Sequence, residues 1–149
     1  MVEGPVWSVA GVVAAPPAAV WPVLLTVLPE LAGLPPDALI GLDAPRTFTV
    51  PLGSPPVATA QVAVDPLRHE VALQGEWWYR GVVAVNAAAD GARITRSIHN
   101  VAPGWSGWLV PFVHRHDEQA FRTGHEALLS SVASRLACGW SLSPARSRS

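Results

Sequence analysis

The stretch His69–Gly104, HEVALQGEWWYRGVVAVNAAADGARITRSIHNVAPG, decides the fold. Bulky apolar side chains alternate with smaller or polar ones over two runs, and the sequence Ala89-Asp90-Gly91 separates the runs. Period-two alternation around an Asp-Gly turn is typical of a β-hairpin that buries one face. The stretch therefore predicts two long antiparallel strands, Trp77–Ala87 and a second strand from Ala92.

The residues before this hairpin extend the pattern outward. From Ala38 to Pro103, short runs are separated by segments rich in Gly, Pro and Asp, which is typical of an antiparallel meander, here of about five or six strands. Earlier still, Pro5–Ala15 predicts a first strand, and Ala18–Leu31 predicts a helix because its apolar residues recur every three or four positions. The predicted buried face of that helix consists of Val20, Leu24, Val27, Leu28 and Leu31.

The residues after the hairpin return to a helical pattern. A long helix is predicted from about Trp108 or Pro111 through Ala137, with Gly139 as its stop. Its apolar stripe consists of Phe121, His125, Leu128, Val132 and Leu136. The fold class is therefore α+β, with a curved antiparallel sheet of six to seven strands wrapped around a long C-terminal helix. Residues 1–140 are predicted to form a single domain, and residues 141–149 a disordered tail.

Composition excludes several classes of protein. Half of the 149 residues are hydrophobic and 14% are charged, which is typical of a chain that folds around one core. All ten basic residues are arginines, and the net charge of −1 offers no positive stripe for nucleic acid. The single cysteine, Cys138, excludes an intrachain disulfide and favours a cytoplasmic location. Pro16, Pro17 and Pro22 interrupt the uncharged N-terminal segment, so no membrane span is expected.

Four segments carry a resemblance to a known family. They are VAAPPAAVWPVL (13–24), VDPLRHEVAL (64–73), GEWWYRGVVAVNAAADGARITRSIHNVAPG (75–104) and HEALLSSVASRL (125–136). From about Val6 to Cys138 the chain resembles the START-like, or SRPBCC, helix-grip superfamily, which includes birch-pollen-allergen-like proteins and the polyketide cyclase/dehydrase group. The resemblance implies a ligand cavity between the sheet and the C-terminal helix. Because the superfamily hosts carriers, receptors and cyclases, the resemblance implies no particular reaction.

Strand parity and the helix stripe point a set of side chains towards that implied cavity. Tyr79 and His125 are the polar members of the set, and with His99 and Arg96 they are the catalytic candidates, since imidazole can act as a general acid or base. For each of these aromatic and histidine residues, simple core packing is the competing interpretation. The predicted ligand-binding residues are Trp77, Tyr79, Val83, Val85, Trp108, Phe112, Phe121, His125, Leu128 and Val132.

The strand after the Asp-Gly turn leaves one alternative open. Ile94 and Ile98 share the even-numbered face of this strand with Arg96 and Asn100. If that face is inward, Arg96 is a buried cation that needs an acidic or carbonyl partner, which a polyketide or acyl carboxylate would supply. If it is outward, His99 becomes the inward candidate.

The remaining motifs restrict the function further. His114 and His116 are two positions apart on a predicted helix and have no second ligand cluster, so neither a metal site nor a cofactor is predicted. The leading hypothesis is the binding of a small hydrophobic or amphipathic molecule of polyketide, lipid or isoprenoid type. The alternatives are a polyketide aromatase/cyclase or dehydratase that uses the same cavity, and a protein-interaction module that uses the Trp105–Phe112 surface. A homodimer is left open.

Overall fold

The computed structural model describes residues 5–52, 58–76, 79–100 and 118–143. These ranges form strand β1 (Pro5–Val13), helix α1 (Pro17–Ala32), strands β2 (Arg46–Leu52), β3 (Ala58–Asp65), β4 (Glu70–Glu76), β5 (Tyr79–Ala88) and β6 (Gly91–Asn100), helix α2 (Glu118–Leu136) and strand β7 (Trp140–Ser143). The order confirms the predicted sequence of a strand, a helix, a meander of five strands and a C-terminal helix.

All seven strands belong to one antiparallel sheet with the order β2-β3-β4-β5-β6-β1-β7. The β5–β6 hairpin closes at the pair Ala88 and Gly91, so the predicted Asp-Gly turn is confirmed. Gly91 has a φ of 147°, and a Cβ atom there would overlap the backbone of Val13. The turn therefore needs glycine both for its conformation and for its close approach to β1.

Helix α2 lies on the inner, apolar face of the sheet. Its residues Leu128, Leu129 and Val132 are at most 1% exposed and share a core with the sheet residues Val13 and Ile94. Side chains directly opposite one another on adjacent strands lie on the same face, so one core residue identifies the inner face of a whole row. The arrangement is the predicted α+β helix-grip fold, in which the sheet curves around the C-terminal helix.

Helix α1 connects β1 to the edge strand β2 and packs against α2, β5 and β6. Pro17 occupies its first turn, where a missing N–H costs little, and Gly33 ends it in the left-handed conformation with φ 77°. Val20, Leu24, Val27 and Leu28 are buried as predicted. Leu31 is 45% exposed, so its prediction as a buried residue was wrong. The segment Ala38–Leu42, predicted to begin the meander, forms turns, and Leu39 within it is fully buried.

The C-terminal end of α2 differs from the sequence prediction. The helix ends at Leu136, and Ala137, with a φ of 54°, adopts the left-handed cap conformation predicted for Gly139. The Cys138 N–H donates to the carbonyl of Ala133, which completes the cap. The predicted tail began too early, because Ser141–Ser143 belong to β7, which pairs with β1. Residues 144–149 lie outside the described residues.

Neither of the two described helices combines the length and the apolar character that a membrane crossing requires.

Gly11 in β1 is the point where α2 and β7 come closest to the sheet. A Cβ atom at this position would overlap the side chain of Leu129 and lie 2.9 Å from the carbonyl oxygen of Ser141. We therefore expect Gly11→Ala to lower the free energy of unfolding by about 1–3 kcal/mol, the usual cost of overpacking a core. Urea unfolding followed by circular dichroism measures this change.

Gly81 in β5 provides the matched control. It lies on the same inner face, but a Cβ atom there would be 3.5 Å from the Ile98 side chain, an ordinary contact. Gly81→Ala should leave stability unchanged or raise it by up to about 1 kcal/mol, because alanine restricts the unfolded chain. Equal losses for the two variants would contradict the close approach of α2 to β1.

Candidate functional site

The structure answers the open question about the face of β6. Ile94 is fully buried and lies opposite Gly11 of β1 and Val85 of β5, so its face is the inner one. Arg96, two residues along the same strand, therefore also lies on the inner face. His99 lies on the outer face, where its Nε2 is 3.2 Å from the hydroxyl of Ser97. Arg96 is thus the inward candidate, and His99 does not join it.

The Arg96 guanidinium lies against the N-terminal half of α2. Its central carbon is 5.2 Å from the centroid of the Phe121 ring, which is a cation–π contact. A Cβ atom on Gly124 would lie 3.2 Å from Nη1 of Arg96, so the glycine allows the cation to approach the helix closely. Gly124 is a site residue that the sequence prediction missed. An isolated glycine inside a helical pattern, where it costs about 1 kcal/mol relative to alanine, was the available signal.

Arg96 is a partly buried cation. Desolvation lowers the pKa of its guanidinium, although arginine remains protonated at neutral pH. Within the described ranges Arg96 forms no ion pair. A guanidinium has five N–H donors, and Arg96 forms no hydrogen bond with another described residue that would use them. The guanidinium of Arg96 can therefore donate hydrogen bonds to a carboxylate or carbonyl oxygen beside Phe121.

His125 is next to Gly124 on α2, and its side chain is fully buried. Its Nε2 lies 3.1 Å from the backbone carbonyl oxygen of Ile94. A carbonyl oxygen can only accept a hydrogen bond, so Nε2 carries the proton and Nδ1 carries the lone pair. Nδ1 has no hydrogen-bond partner among the described residues. The imidazole is therefore neutral, and it links α2 directly to β6.

The environment of His125 opposes its protonation. Its pKa is lowered to about 4, and desolvation by burial is the largest cause. The hydrogen bond to Ile94 acts to raise the pKa, and the nearby charge of Arg96 acts to lower it. An imidazole with such a pKa is a poor general acid near neutral pH, because almost none of it is protonated. This geometry favours a structural or hydrogen-bonding role for His125 over the predicted proton transfer.

The other predicted ligand-binding residues fall into two groups. Val83, Val85, Leu128 and Val132 are 0–3% exposed and belong to the packed core, so in this structure they contact protein. Phe121 is half-buried beside Arg96, as described above. The side chain of Tyr79, the residues Trp77, Trp108 and Phe112, and the Trp105–Phe112 surface lie outside the described part of the chain.

Two cavities lined by described residues have no residue of α2 in their walls. One, of about 370 Å³, lies beside β2, and the other, of about 200 Å³, lies on the outer face of the sheet near Gln61, Gln74 and Arg80. Among the described residues, no group of three or more histidine, cysteine, aspartate or glutamate side chains could hold a metal ion. His114 and His116 are outside those residues.

The fold is shared with solved structures of low sequence identity. The chain is similar to the Polyketide_cyc-like protein Cgl2372 from Corynebacterium glutamicum, with 15% identity, a TM-score of 0.53, and coverage of 91% of this chain and 93% of that chain. It is similar to TTHA0849 from Thermus thermophilus, with 14% identity, a TM-score of 0.52, and coverage of 87% and 99%. It is also similar to Ara h 8.0201, with 18% identity, a TM-score of 0.51, and coverage of 86% and 97%.

No family model and no curated protein matches the chain. The structural similarities confirm the helix-grip fold that the sequence segments had predicted. A fold of this kind hosts many activities, so the function has to be argued from the residues of this chain.

The depressed pKa of His125 predicts a pH dependence of stability. In the unfolded chain the imidazole binds a proton below about pH 6.5, whereas in the folded protein it does so only near pH 4. Acidification from about pH 6.5 to about pH 4 therefore stabilises the unfolded state, and the free energy of unfolding should fall by up to about 3 kcal/mol. Above pH 6.5 this contribution is fully present.

His125→Gln tests this dependence, because the glutamine amide can still donate to the Ile94 carbonyl but does not titrate. Urea unfolding at several pH values between 4 and 7 should show a shallower pH dependence for His125→Gln than for the wild type. The control is Thr95→Gln on the outer face of β6, which changes no titratable group and should retain the wild-type slope. Indistinguishable slopes for His125→Gln and the wild type would show that His125 titrates alike in the folded and unfolded states.

Proposed function

We propose that the protein binds a small hydrophobic or amphipathic molecule between the sheet and the N-terminal half of α2. In this proposal the guanidinium of Arg96 binds a carboxylate or ketone oxygen of the ligand. The observation that carries the proposal is the position of this cation on the inner face, stacked on Phe121 and without an ion pair in the described part of the chain. A cation at an apolar face is costly unless an acceptor compensates it.

The gradient of burial along the inner face supports the location of the ligand. In the row of Arg96, the strand residues Val71 and Val83 are at most 3% exposed. In the next row, Leu73, Gly81 and Ile98 are all half-buried, and Gly81 adds no side chain. An apolar ligand body on this second row would gain about 25 cal/mol for each Å² removed from water. Its polar end would then lie beside Arg96.

The buried imidazole of His125 favours binding over catalysis. An aromatase/cyclase or dehydratase needs a group that exchanges protons near neutral pH, and a His125 pKa of about 4, with Nε2 bonded to Ile94, does not fit that task. Tyr79 remains a predicted catalytic candidate, and the Trp105–Phe112 surface remains a predicted interaction surface. A polyketide, lipid or isoprenoid ligand, a cytoplasmic location and a homodimer also remain predictions.

The charge of Arg96 provides the test. Native mass spectrometry of protein purified from its own host should detect a co-purifying small molecule on the wild type. Arg96→Met keeps an apolar stem against Phe121 but removes the charge, so the occupied fraction should fall at least tenfold. The variant should remain folded, because no ion pair of Arg96 is lost among the described residues.

The matched control is Arg93→Met, which lies three residues earlier on β6 with its side chain exposed on the outer face. Its occupied fraction should equal that of the wild type. The proposal is wrong if Arg96→Met and Arg93→Met retain the molecule equally well while circular dichroism shows both to be folded.

A further inference from the structure

A second arginine lies on the inner face of the sheet, at the opposite end of the row that contains Arg96. The strand pairings place one residue from each of five neighbouring strands in register, in the order Arg46, Val64, Val71, Val83 and Arg96. Neighbouring strands are about 4.8 Å apart, so the two arginines are separated by roughly 19 Å along the sheet. The inner face therefore carries one cation on β2 and one on β6, with three valines between them.

Arg46 is exposed to solvent, unlike Arg96, but it also lies over a phenylalanine ring. Its guanidinium carbon lies 5.8 Å from the centroid of the Phe48 ring, two residues along the same strand. Phe48 in turn packs against the core, and Val50 beyond it is buried. Arg46 forms no ion pair with any residue that the structure describes. An arginine that lies over an inward-facing aromatic ring can donate its N–H groups to an anion.

A cavity of about 370 Å³ that is largely open to solvent lies against this arginine. One wall is the inner face of β2, formed by Arg46, Phe48 and Val50, and the other is the segment between α1 and β2, with Ala38, Ile40 and Leu42. Its volume is within the range of small-molecule sites, about 300–1,000 Å³. Ile40, one of the residues of this wall, is 56% exposed and offers an apolar contact to a bound molecule.

The cavity is separate from the site at Arg96. The three valines between the two arginines are 0–3% exposed and share a core with Val20 and Leu24 of α1. A ligand at one arginine therefore cannot extend along the row to the other. No residue of α2 lines the cavity beside β2.

We propose that the cavity beside β2 is a second binding site, which takes a small apolar molecule carrying a carboxylate. The guanidinium of Arg46 binds the carboxylate in its plane, and the apolar part of the molecule contacts Phe48, Leu42 and Ile40. Asp37 also lines the cavity, and its carboxylate opposes binding because it repels an anion. The site does not depend on the function proposed for Arg96.

Octanoate and 1-octanol are suitable probes, because they share an alkyl chain and differ in charge. In ¹⁵N–¹H NMR titrations of the full chain, octanoate should shift amide signals of residues 38–50 more strongly than 1-octanol does. Arg46→Met should weaken octanoate binding at these signals at least fivefold and leave 1-octanol binding nearly unchanged. Asp37→Asn should leave octanoate binding unchanged or strengthen it up to a few-fold.

Arg96→Met is the matched control, since it removes the equivalent stacked cation at the other end of the row. Octanoate should still shift residues 38–50 of this variant with wild-type affinity. Three results would each overturn the second site. They are equal affinities of the wild type for octanoate and 1-octanol, wild-type octanoate affinity in Arg46→Met, and tighter octanoate binding by Arg46→Met than by Asp37→Asn. Octanoate shifts confined to residues around Arg96 would also overturn it, while leaving the function proposed for Arg96 intact.

If Arg46→Met proves unfolded by circular dichroism, Arg46→Lys replaces it. Lysine keeps the charge but lacks the planar donor fork. If Arg46→Lys binds octanoate more weakly than the wild type does, but more tightly than it binds 1-octanol, the site is supported. If the wild type and Arg46→Lys each bind octanoate and 1-octanol with equal affinity, the site is refuted.

Discussion

The close contact of helix α2 with the inner face of the sheet is the constraint on which the rest of the structure depends. Two features produce it: Gly11 gives Leu129 room to approach β1, and the imidazole of His125 donates a hydrogen bond to the Ile94 carbonyl of β6. The second feature also fixes the position of α2 along β6. Because Phe121 and Gly124 precede His125 by about one turn or less, the same contact brings them to Arg96.

The inner face combines an apolar core with charges at its margins. Core burial supplies the main stabilisation, and an arginine within such a face opposes it unless its donors find acceptors. Both Arg46 and Arg96 are stacked on a phenylalanine, which stabilises the cation without using its N–H groups. This combination of apolar surface with two cations that form no ion pair among the described residues supports the proposed binding of an oxygen-bearing amphipathic molecule.

The sequence predicted the fold well because the fold follows from local periodicity. Alternation across His69–Gly104, the Asp-Gly turn and the stripe through His125 and Leu128 were each sufficient to assign an element. The errors arose where backbone pairing or tertiary contacts decide: β7 is a short polar segment held by β1, and Ala137 caps α2 where glycine was expected.

The candidate site was predicted less completely than the fold. His125 lies on the inner face as its helix stripe indicated, but a sequence pattern contains no information about desolvation, which sets its pKa. The face of Arg96 stayed open because apolar and polar residues alternate ambiguously along β6. The burial of Ile94 and its pairing with Val85 and Gly11 distinguish the faces. The signal for Arg46 was present, since it shares the parity of Phe48 and Val50.

The tautomer of His125 tests the central contact between α2 and β6 most directly. Long-range ¹⁵N–¹H NMR spectra of the imidazole at neutral pH distinguish a proton on Nε2 from a proton on Nδ1. The structure predicts a neutral ring protonated on Nε2, with an Nε2 proton protected from exchange by its bond to Ile94. A ring protonated on Nδ1, or one that exchanges rapidly between the two tautomers, would contradict the contact.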